Sequence, residues 1–183
     1  MTTFPVPSRE DVSESNGAIF DKLDKQLGFV PNLYATLAHS DNALASYLAL
    51  QGAKSSLDAK SKEVVNLAVS EVNACAYCLA AHTALGKMVG FDDGQILELR
   101  AGRAPFDAKL DALATFARAV TEARGKPDER VTAAFLEAGW TRAQLVDAIV
   151  LIGEKTVTNY LHGVTGVPVD FPAAPALDGT AAA

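Results

Sequence analysis

The sequence is poor in the residues that most often carry reactive chemistry. Its 183 residues include two cysteines, three histidines and one tryptophan, so a nucleophile or a metal site has few side chains to draw on. No apolar run approaches the roughly 20 residues that cross a bilayer. The N-terminus also lacks a basic region followed by an apolar core, the pattern of a signal peptide. We therefore expect a cytoplasmic protein with no membrane partner.

An excess of positive charge and the patterns of β-structure are missing as well. The net charge of −6 at pH 7 disfavours binding to nucleic acid, so we expect small-molecule or protein partners. No long segment alternates apolar and polar residues, and no glycine-rich phosphate loop follows a predicted strand. Apolar residues recur instead at helical spacing, which predicts an all-α fold.

The length of the chain and the position of its prolines predict one domain with two extended ends. Residues 1–15 are predicted to form an N-terminal arm, residues 16–166 a single helical domain, and residues 167–183 a C-terminal tail. Inside the domain, Thr141 and Gln144 form the pattern of a capping box, which predicts the start of the last helix.

One short segment holds both cysteines and one of the three histidines. On a regular helix Cys75, Cys78 and His82 fall within a wedge of roughly 60°. Residues i and i+3 lie about 5 Å apart, within the range that a disulfide bridges, so we predict a reversible disulfide. Asn73 is a good N-cap and is predicted to begin this helix. Both thiols would then lie in the first turns, where the helix dipole stabilises a thiolate.

A carboxylate on the preceding helix completes the candidate site. Asp58 is predicted to cap that nearly all-apolar helix, which carries Glu63. On one unbroken helix, Glu63 and His82 would lie about 30 Å apart. We therefore predict that the helix breaks near Asn73 and that the chain folds back, bringing the carboxylate against the imidazole. The imidazole could then deprotonate a thiol directly or through a water.

The pattern of these four side chains resembles a known family. Their spacing is a glutamate, eleven intervening residues, Cys-x-x-Cys, three residues and a histidine. This pattern is similar to the core motif of the alkylhydroperoxidase D-like family, within the carboxymuconolactone decarboxylase superfamily. The flanking segments, residues 28–34 and 155–170, resemble its peroxidase-related branch. The resemblance therefore extends over roughly residues 16–170.

The resemblance implies a fold, a reaction and partners. The fold would be an alkylhydroperoxidase D-like helical bundle with the Cys-x-x-Cys motif at the start of a core helix. Cys78 would be the peroxidatic thiol, Cys75 the resolving thiol, and Glu63 with His82 the proton relay, with no cofactor and no metal. The chain would act as a peroxidase on alkyl hydroperoxides, reset by a small dithiol, a thioredoxin-like protein or a lipoyl domain. The family also associates with peroxiredoxin reduction, and we expect a homo-oligomer, either a trimer or a hexamer.

The sequence departs from the family at one position. Characterised members carry a relay histidine directly before the second cysteine, where this chain has Tyr77. A phenol has a pKa near 10 and is a poor base at neutral pH. Tyr77 could therefore donate a hydrogen bond in the site but could not replace that histidine.

Other interpretations of the motif differ in how well the sequence supports them. A thioredoxin-like domain is disfavoured because the chain lacks a βαβ pattern, and haem attachment is excluded because Leu79 stands where the histidine would have to be. Zinc is an alternative because the glutamate, both cysteines and the histidine are all ligand types, and the cysteines could also be small core residues. A cofactor-free decarboxylase or lyase of the same superfamily would lack the paired thiols. A non-enzymatic stress or interaction protein on this scaffold is the last alternative.

The remaining polar candidates are expected to have structural roles. We expect His39 to face solvent or to lie in the C-terminal turn of a helix. Asn159 and His162 lie late in an otherwise buried helix, and we expect them to serve the helix end or a subunit contact rather than the active site.

Overall fold

The computed structural model describes residues 4–177, and this part of the chain contains nine α-helices and no β-strand. The helices are α1 (Glu14–Leu27), α2 (Asn32–Leu37), α3 (Ala43–Gln51), α4 (Ala59–Val72), α5 (Ala76–Met88), α6 (Asp93–Arg100), α7 (Ala108–Glu122), α8 (Glu129–Glu137) and α9 (Arg142–Thr165). The predicted all-α fold is confirmed. The first helix begins two residues before the predicted start near Asn16, because Ser13 accepts a hydrogen bond from the Asn16 N–H and acts as its N-cap. No helix within residues 4–177 is long and apolar enough to cross a membrane.

Helix starts follow the capping residues in the sequence. Asp58 accepts a hydrogen bond from the Ser61 N–H and begins α4, as predicted. Thr141 and Gln144 form the predicted capping box of α9, with both reciprocal hydrogen bonds present. These bonds satisfy N–H groups that would otherwise lack a partner in the first turn.

Helix α4 lies at the centre of the bundle and packs against α5, α6, α7 and α9. Its side chains from residue 63 to residue 70 are all buried, because the sequence leaves this helix almost no polar face. Three aromatic side chains, Phe116, Phe135 and Trp140, fill the far side of the core. A carboxylate on α4 is therefore held in a rigid, water-poor environment.

The chain reverses direction between α4 and α5, as the distance between Glu63 and His82 requires. Ala74 adopts a left-handed conformation with φ of 50°, which costs roughly 1–2 kcal/mol for a residue with a Cβ atom. The Cys75 N–H then donates to the carbonyl of Ser70 at 3.0 Å. The prediction that Asn73 caps the second helix is wrong: Asn73 follows the last residue of α4, and Cys75 is the N-cap of α5.

The segment after α9 folds back over the ends of α2 and α5. Gly166 has φ of 60° and ends α9, and Val167 is buried beside the motif. Asp170 accepts a hydrogen bond from the Asn32 N–H at 2.7 Å, at the start of α2. The predicted C-terminal tail therefore packs on the domain up to residue 177, and its last residues, 178–183, lie outside the described part of the chain.

Candidate active site

The predicted contact between Glu63 and His82 is present. The Nδ1 atom of His82 lies 2.7 Å from Oε2 of Glu63, and the Asn66 amide donates to Oε1 of the same carboxylate at 3.0 Å. Both members of the pair are buried. An ionised carboxylate only accepts hydrogen bonds, so Nδ1 carries the proton and Nε2 of a neutral His82 is left as an acceptor.

The charge state of this pair favours a neutral base. Burial acts to raise the pKa of Glu63, but the His82 charge and the hydrogen bonds from His82 and Asn66 lower it overall. Burial, together with the positive charge of Lys155, lowers the pKa of His82. A neutral imidazole with a free Nε2 lone pair can accept a proton from a neighbouring thiol at neutral pH.

The two thiols have different roles at the start of α5. The Cys78 N–H donates to the sulfur of Cys75 at 3.2 Å, so Cys75 caps the helix and Cys78 lies in its first turn. The pKa of Cys78 is lowered to about 7, chiefly by a hydrogen bond that the Cys75 thiol donates to it. Burial opposes this shift, whereas the charge of Lys155 and hydrogen bonds from two other side chains of α9, Asn159 and Thr158, add to it. The pKa of Cys75 is raised, chiefly by its interaction with Cys78 and by burial. Cys78 is therefore the thiol that is poised to ionise, and both cysteines are in the free form.

Helix α9 supplies polar side chains that the motif spacing does not predict. Lys155, Thr158 and Asn159 are buried on the face of α9 that meets α4 and α5. Asn159 accepts a hydrogen bond from the Asn73 amide at 2.9 Å and donates to Ser70 at 3.3 Å. The prediction that Asn159 serves the helix end or a subunit contact is wrong, because it braces the turn before Cys75. The recurrence of polar residues at i, i+3 and i+4 indicates that these side chains share one face of α9, but it does not indicate which helix that face meets.

A cavity of about 350 Å³ opens beside Cys78 and His82. Its polar lining includes Lys155, Tyr34 and Tyr47. The remaining lining is largely apolar and comprises Leu27, Phe29, Pro31, Leu33, Ala81, Ala84, Leu85, Met88 and Phe171, among others. Several of these apolar side chains are exposed at the mouth, Met88 most of all at 81%. The thiol therefore meets a space suited to a largely apolar molecule that carries a small polar group.

Tyr77 lies on the wall of this cavity but does not join the Glu63–His82 pair. Its phenol oxygen accepts a hydrogen bond from the Leu33 N–H at 3.3 Å, and its ring packs against Phe171 with centroids 5.6 Å apart. Burial and the neighbouring carboxylate of Asp170 raise its pKa. Tyr77 is thus a protonated phenol that connects α5 to α2 and to the C-terminal segment.

The other two histidines lie where they were expected. His39 is exposed and contacts the backbone carbonyl of Pro5, so the expectation that it faces solvent is confirmed. His162 lies in the last turn of α9, half-buried, with its ring 5.7 Å from the ring of Tyr77.

The four residues that could ligate zinc by type do not converge on one point. Both oxygens of Glu63 are engaged, one by His82 and one by Asn66, and the Cys75 sulfur faces the Cys78 N–H. Among residues 4–177, no group of three or more His, Cys, Asp or Glu side chains is arranged to hold a metal ion.

Solved structures with the same fold include proteins related to peroxidases. A peroxidase-related protein with an alkylhydroperoxidase AhpD core, from Ralstonia eutropha JMP134, is 22% identical, with a TM-score of 0.82 and 91% of each chain covered. A peroxidase-related protein from Silicibacter sp. TM1040 is 23% identical, with a TM-score of 0.78, and the match covers 90% of this chain and 88% of that one. At these identities the similarity establishes the fold.

A third similar structure is that of a debrominase. Bmp8 is 14% identical, with a TM-score of 0.76 and 93% of each chain covered. A cysteine-to-alanine variant of Bmp8 has been solved in complex with 2,3,4-tribromopyrrole. No match is found among curated proteins.

The sequence itself matches a family model. The model of the carboxymuconolactone decarboxylase family matches residues 36–123, which include the Glu63–His82 pair and both cysteines. The predicted fold class is confirmed by this match together with the structural neighbours. Residues 36–123 therefore match the carboxymuconolactone decarboxylase family, and the described chain has the fold of the alkylhydroperoxidase AhpD core.

Proposed function

We propose that the protein is a thiol-dependent reductase of alkyl hydroperoxides, in which Cys78 attacks the peroxide and Cys75 resolves the product. One observation carries the proposal: Cys78 lies in the first turn of a buried helix, has its pKa lowered to about 7, and faces a largely apolar cavity of about 350 Å³. About half of such a thiol is ionised at pH 7, compared with about 3% of a thiol with the ordinary pKa near 8.5. The thiolate is the reactive nucleophile.

The first chemical step needs a base, and the Glu63–His82 pair supplies it. Glu63 holds the proton of His82 on Nδ1, so that Nε2 takes the proton from the Cys78 thiol. The sulfur then attacks the distal oxygen of R–O–O–H, forming an S–O bond as the O–O bond breaks. The alkoxide leaves with the bonding electron pair and is protonated to the alcohol, and Cys78 becomes a sulfenic acid.

The second step uses the resolving thiol. Cys75 is adjacent to Cys78 and condenses with the sulfenic acid, releasing water and forming the intramolecular disulfide. An external dithiol, such as a lipoyl domain or a thioredoxin-like protein, then reduces the disulfide by exchange. The largely apolar lining of the cavity favours an alkyl or aryl hydroperoxide over hydrogen peroxide.

The similarity to a debrominase supports a second candidate reaction. The two thiols could reduce an aryl bromide: Ar–Br and two thiols would give Ar–H, a disulfide and HBr, which balances two electrons and two protons. The aromatic side chains of Phe29, Tyr34 and Phe171 in the cavity lining fit a flat halogenated ring. Both candidates use the same nucleophile and end at the same disulfide.

A single-turnover experiment distinguishes these reactions. Reduced wild-type protein is mixed with tert-butyl hydroperoxide or with 2,3,4-tribromopyrrole, and loss of peroxide, release of bromide and protein mass are followed. We expect about one equivalent of hydroperoxide to be consumed and a mass decrease corresponding to two hydrogens. Cys75→Ser should stop after one turnover at sulfenic acid, and Cys78→Ser should consume none.

Three other outcomes would contradict the proposal. Bromide release without peroxide consumption would favour the dehalogenation. Loss of the first turnover in Cys75→Ser instead of Cys78→Ser would exchange the roles of the two thiols. If neither substrate reacts and both thiols remain open to alkylation, the lyase or the non-enzymatic alternative is the better description.

A further inference from the structure

We propose that Lys155 is a catalytic residue of this site, and that its ammonium group donates the proton that the leaving oxygen of the hydroperoxide requires. The proposal rests on the peroxidase function proposed above and extends it, because the Glu63–His82 pair accounts only for removal of the thiol proton. Lys155 would supply the second proton transfer, the one to the leaving group.

Lys155 is a buried lysine in the lining of the cavity. The side chain is 3% exposed, and it lines the same cavity as Cys78 and His82. Lysine is almost never this buried unless it is paired with an acid or has a function. Within residues 4–177 the ammonium donates no hydrogen bond, and its ion pair is with Glu154 at 3.7 Å, beyond hydrogen-bonding distance. Its donors are therefore available to a molecule in the cavity.

The neighbours of Glu154 explain why the ammonium is left available. The hydroxyl of Tyr47 donates to Oε1 of Glu154 at 2.5 Å, and this is the same oxygen that lies nearest to Lys155. Gln51 in turn donates to the Tyr47 oxygen at 3.3 Å. Glu154 thus compensates the lysine charge at a distance, while Tyr47 takes its strongest hydrogen bond. This arrangement keeps a charged donor in the cavity without closing it into a tight salt bridge.

The chemistry of the leaving group gives the reason for a donor. An alkoxide is about as basic as hydroxide, the conjugate base of water with a pKa near 15.7, so its departure is slow without proton transfer. Tyr77 does not serve, because its oxygen accepts the Leu33 N–H and its pKa is raised. His82 faces Glu63 and begins the reaction as a base. Lys155 is the ammonium among the described residues that line this cavity together with Cys78.

In the proposed step the Cys78 sulfur is oxidised and the hydroperoxide is reduced to an alcohol. The Cys78 sulfur forms a bond to the distal OH group while the O–O bond breaks, and the alkoxide takes a proton from Lys155 to become the alcohol. The lysine is then neutral and regains a proton through solvent from His82, which holds the proton of the thiol. The positive charge of Lys155 also favours the thiolate before the attack, in line with the lowered pKa of Cys78.

Substrates with different leaving groups test this role. Oxidation of Cys78 is measured under single-turnover conditions with tert-butyl hydroperoxide, which releases a basic alkoxide, and with peracetic acid, whose carboxylate leaving group has a pKa near 4 and needs no proton. The same thiolate attacks both oxidants, so the ratio of the two rates cancels any change in the thiolate fraction. Wild type is compared with Lys155→Met and Lys155→Arg.

We expect the ratio of alkyl hydroperoxide rate to peracid rate to fall by about 10²-fold in Lys155→Met, the usual size of a general-acid contribution. Lys155→Arg keeps the positive charge, but a guanidinium does not give up its proton. The pH midpoint of Cys78 alkylation should therefore stay at the wild-type value, while the ratio of the alkyl hydroperoxide rate to the peracid rate should fall as in Lys155→Met. A ratio that stays within about three-fold of wild type in Lys155→Met would overturn the proposal, because His82 would then supply both proton transfers.

The design also separates this proposal from the underlying function. If wild type reacts with neither oxidant, the peroxidase function itself fails. If wild type reacts with both and the two rates fall together in Lys155→Met, the peroxidase function stands and Lys155 acts through the thiolate alone. Should Lys155→Arg fail to fold, as judged by circular dichroism and thermal unfolding, the rate ratio in Lys155→Met still decides the question.

Discussion

Replacement of Cys75 tests why Cys78 is acidic. The sulfur of Cys75 accepts the N–H of Cys78 at 3.2 Å, and the thiol makes the largest contribution to the lowered pKa of Cys78. Cys75→Ser keeps a hydroxyl group that can accept the N–H and donate to the thiolate, and serine is a preferred N-cap. Cys75→Ala removes both interactions. Each variant retains a single thiol, so its alkylation reports Cys78 alone.

The size of the effect follows from the two pKa values. If the pKa of Cys78 remains about 7 in Cys75→Ser and returns to about 8.5 in Cys75→Ala, the thiolate fraction at pH 7 falls about 16-fold. The more basic thiolate is intrinsically about five-fold more reactive, for a Brønsted coefficient of 0.4–0.5. Cys75→Ala should therefore react about three-fold more slowly at pH 7 and about five-fold faster above about pH 10, so the two rate curves cross.

The assay is alkylation by iodoacetamide from about pH 5 to about pH 10, with denaturant unfolding as a second measurement. The free energy of unfolding of Cys75→Ala should also be about 1 kcal/mol lower than that of Cys75→Ser, because α5 loses its N-cap. Rate curves with one common midpoint would refute the reasoning. The acidity of Cys78 would then come from Lys155 and from the helix terminus.

Two further predictions concern the base and the assembly. In Glu63→Gln, the Asn66 amide should donate to the oxygen of the introduced amide, so that the NH₂ group of the introduced amide faces Nδ1 of His82. Nδ1 must then accept a hydrogen bond, and the imidazole proton moves to Nε2. Oxidation of Cys78 by tert-butyl hydroperoxide should then fall about two-fold at pH 7, where about half of the thiol is already ionised, and by more at lower pH, where the thiol is protonated. Glu71→Gln, which breaks an ion pair elsewhere on α4, should leave the rate unchanged. An unchanged rate in Glu63→Gln would exclude the relay. We also expect a homo-oligomer in which a second copy covers the exposed apolar face of α9, formed by Val146, Ile149, Val150, Val157, Tyr160 and Val164. Sedimentation should give a mass well above 19.2 kDa for wild type and a lower mass for Val157→Lys, and a wild-type mass near 19.2 kDa would contradict the expectation.

The contact between Glu63 and His82 could be predicted because the relay interpretation requires the two groups to meet, whereas an unbroken helix would hold them about 30 Å apart. Helix starts could be predicted at Asp58 and Thr141 because a cap is a local interaction between residues a few positions apart. The error at Asn73 has the opposite origin. Its side chain reaches across to Asn159 on α9, and the reversal uses a left-handed alanine for which no local sequence pattern gives a signal.

The contribution of α9 to the site could not be predicted from periodicity. The spacing of polar residues indicates which side chains share a face, but it does not indicate which helix that face meets. Lys155 and Asn159 approach Cys78 only because α4 packs against both α5 and α9. A partner more than 70 residues away in the chain is determined by tertiary packing, for which one sequence carries no direct signal.

On the proposed mechanism, Tyr77 does not take the role of the histidine that the resemblance implies at this position. Tyr77 is engaged with the Leu33 N–H and the ring of Phe171, and so helps to hold the C-terminal segment at the cavity wall. A protonated phenol in that role cannot pass protons as an imidazole does. On the proposed mechanism, the pair formed by α4 and α5 removes the thiol proton, while Lys155 on α9 serves the leaving group. Activity should therefore depend on how α9 packs against α5 as much as on the Cys-x-x-Cys motif. Tyr77→His would not by itself replace Lys155, because the introduced imidazole would have to displace the contacts that position the C-terminal segment.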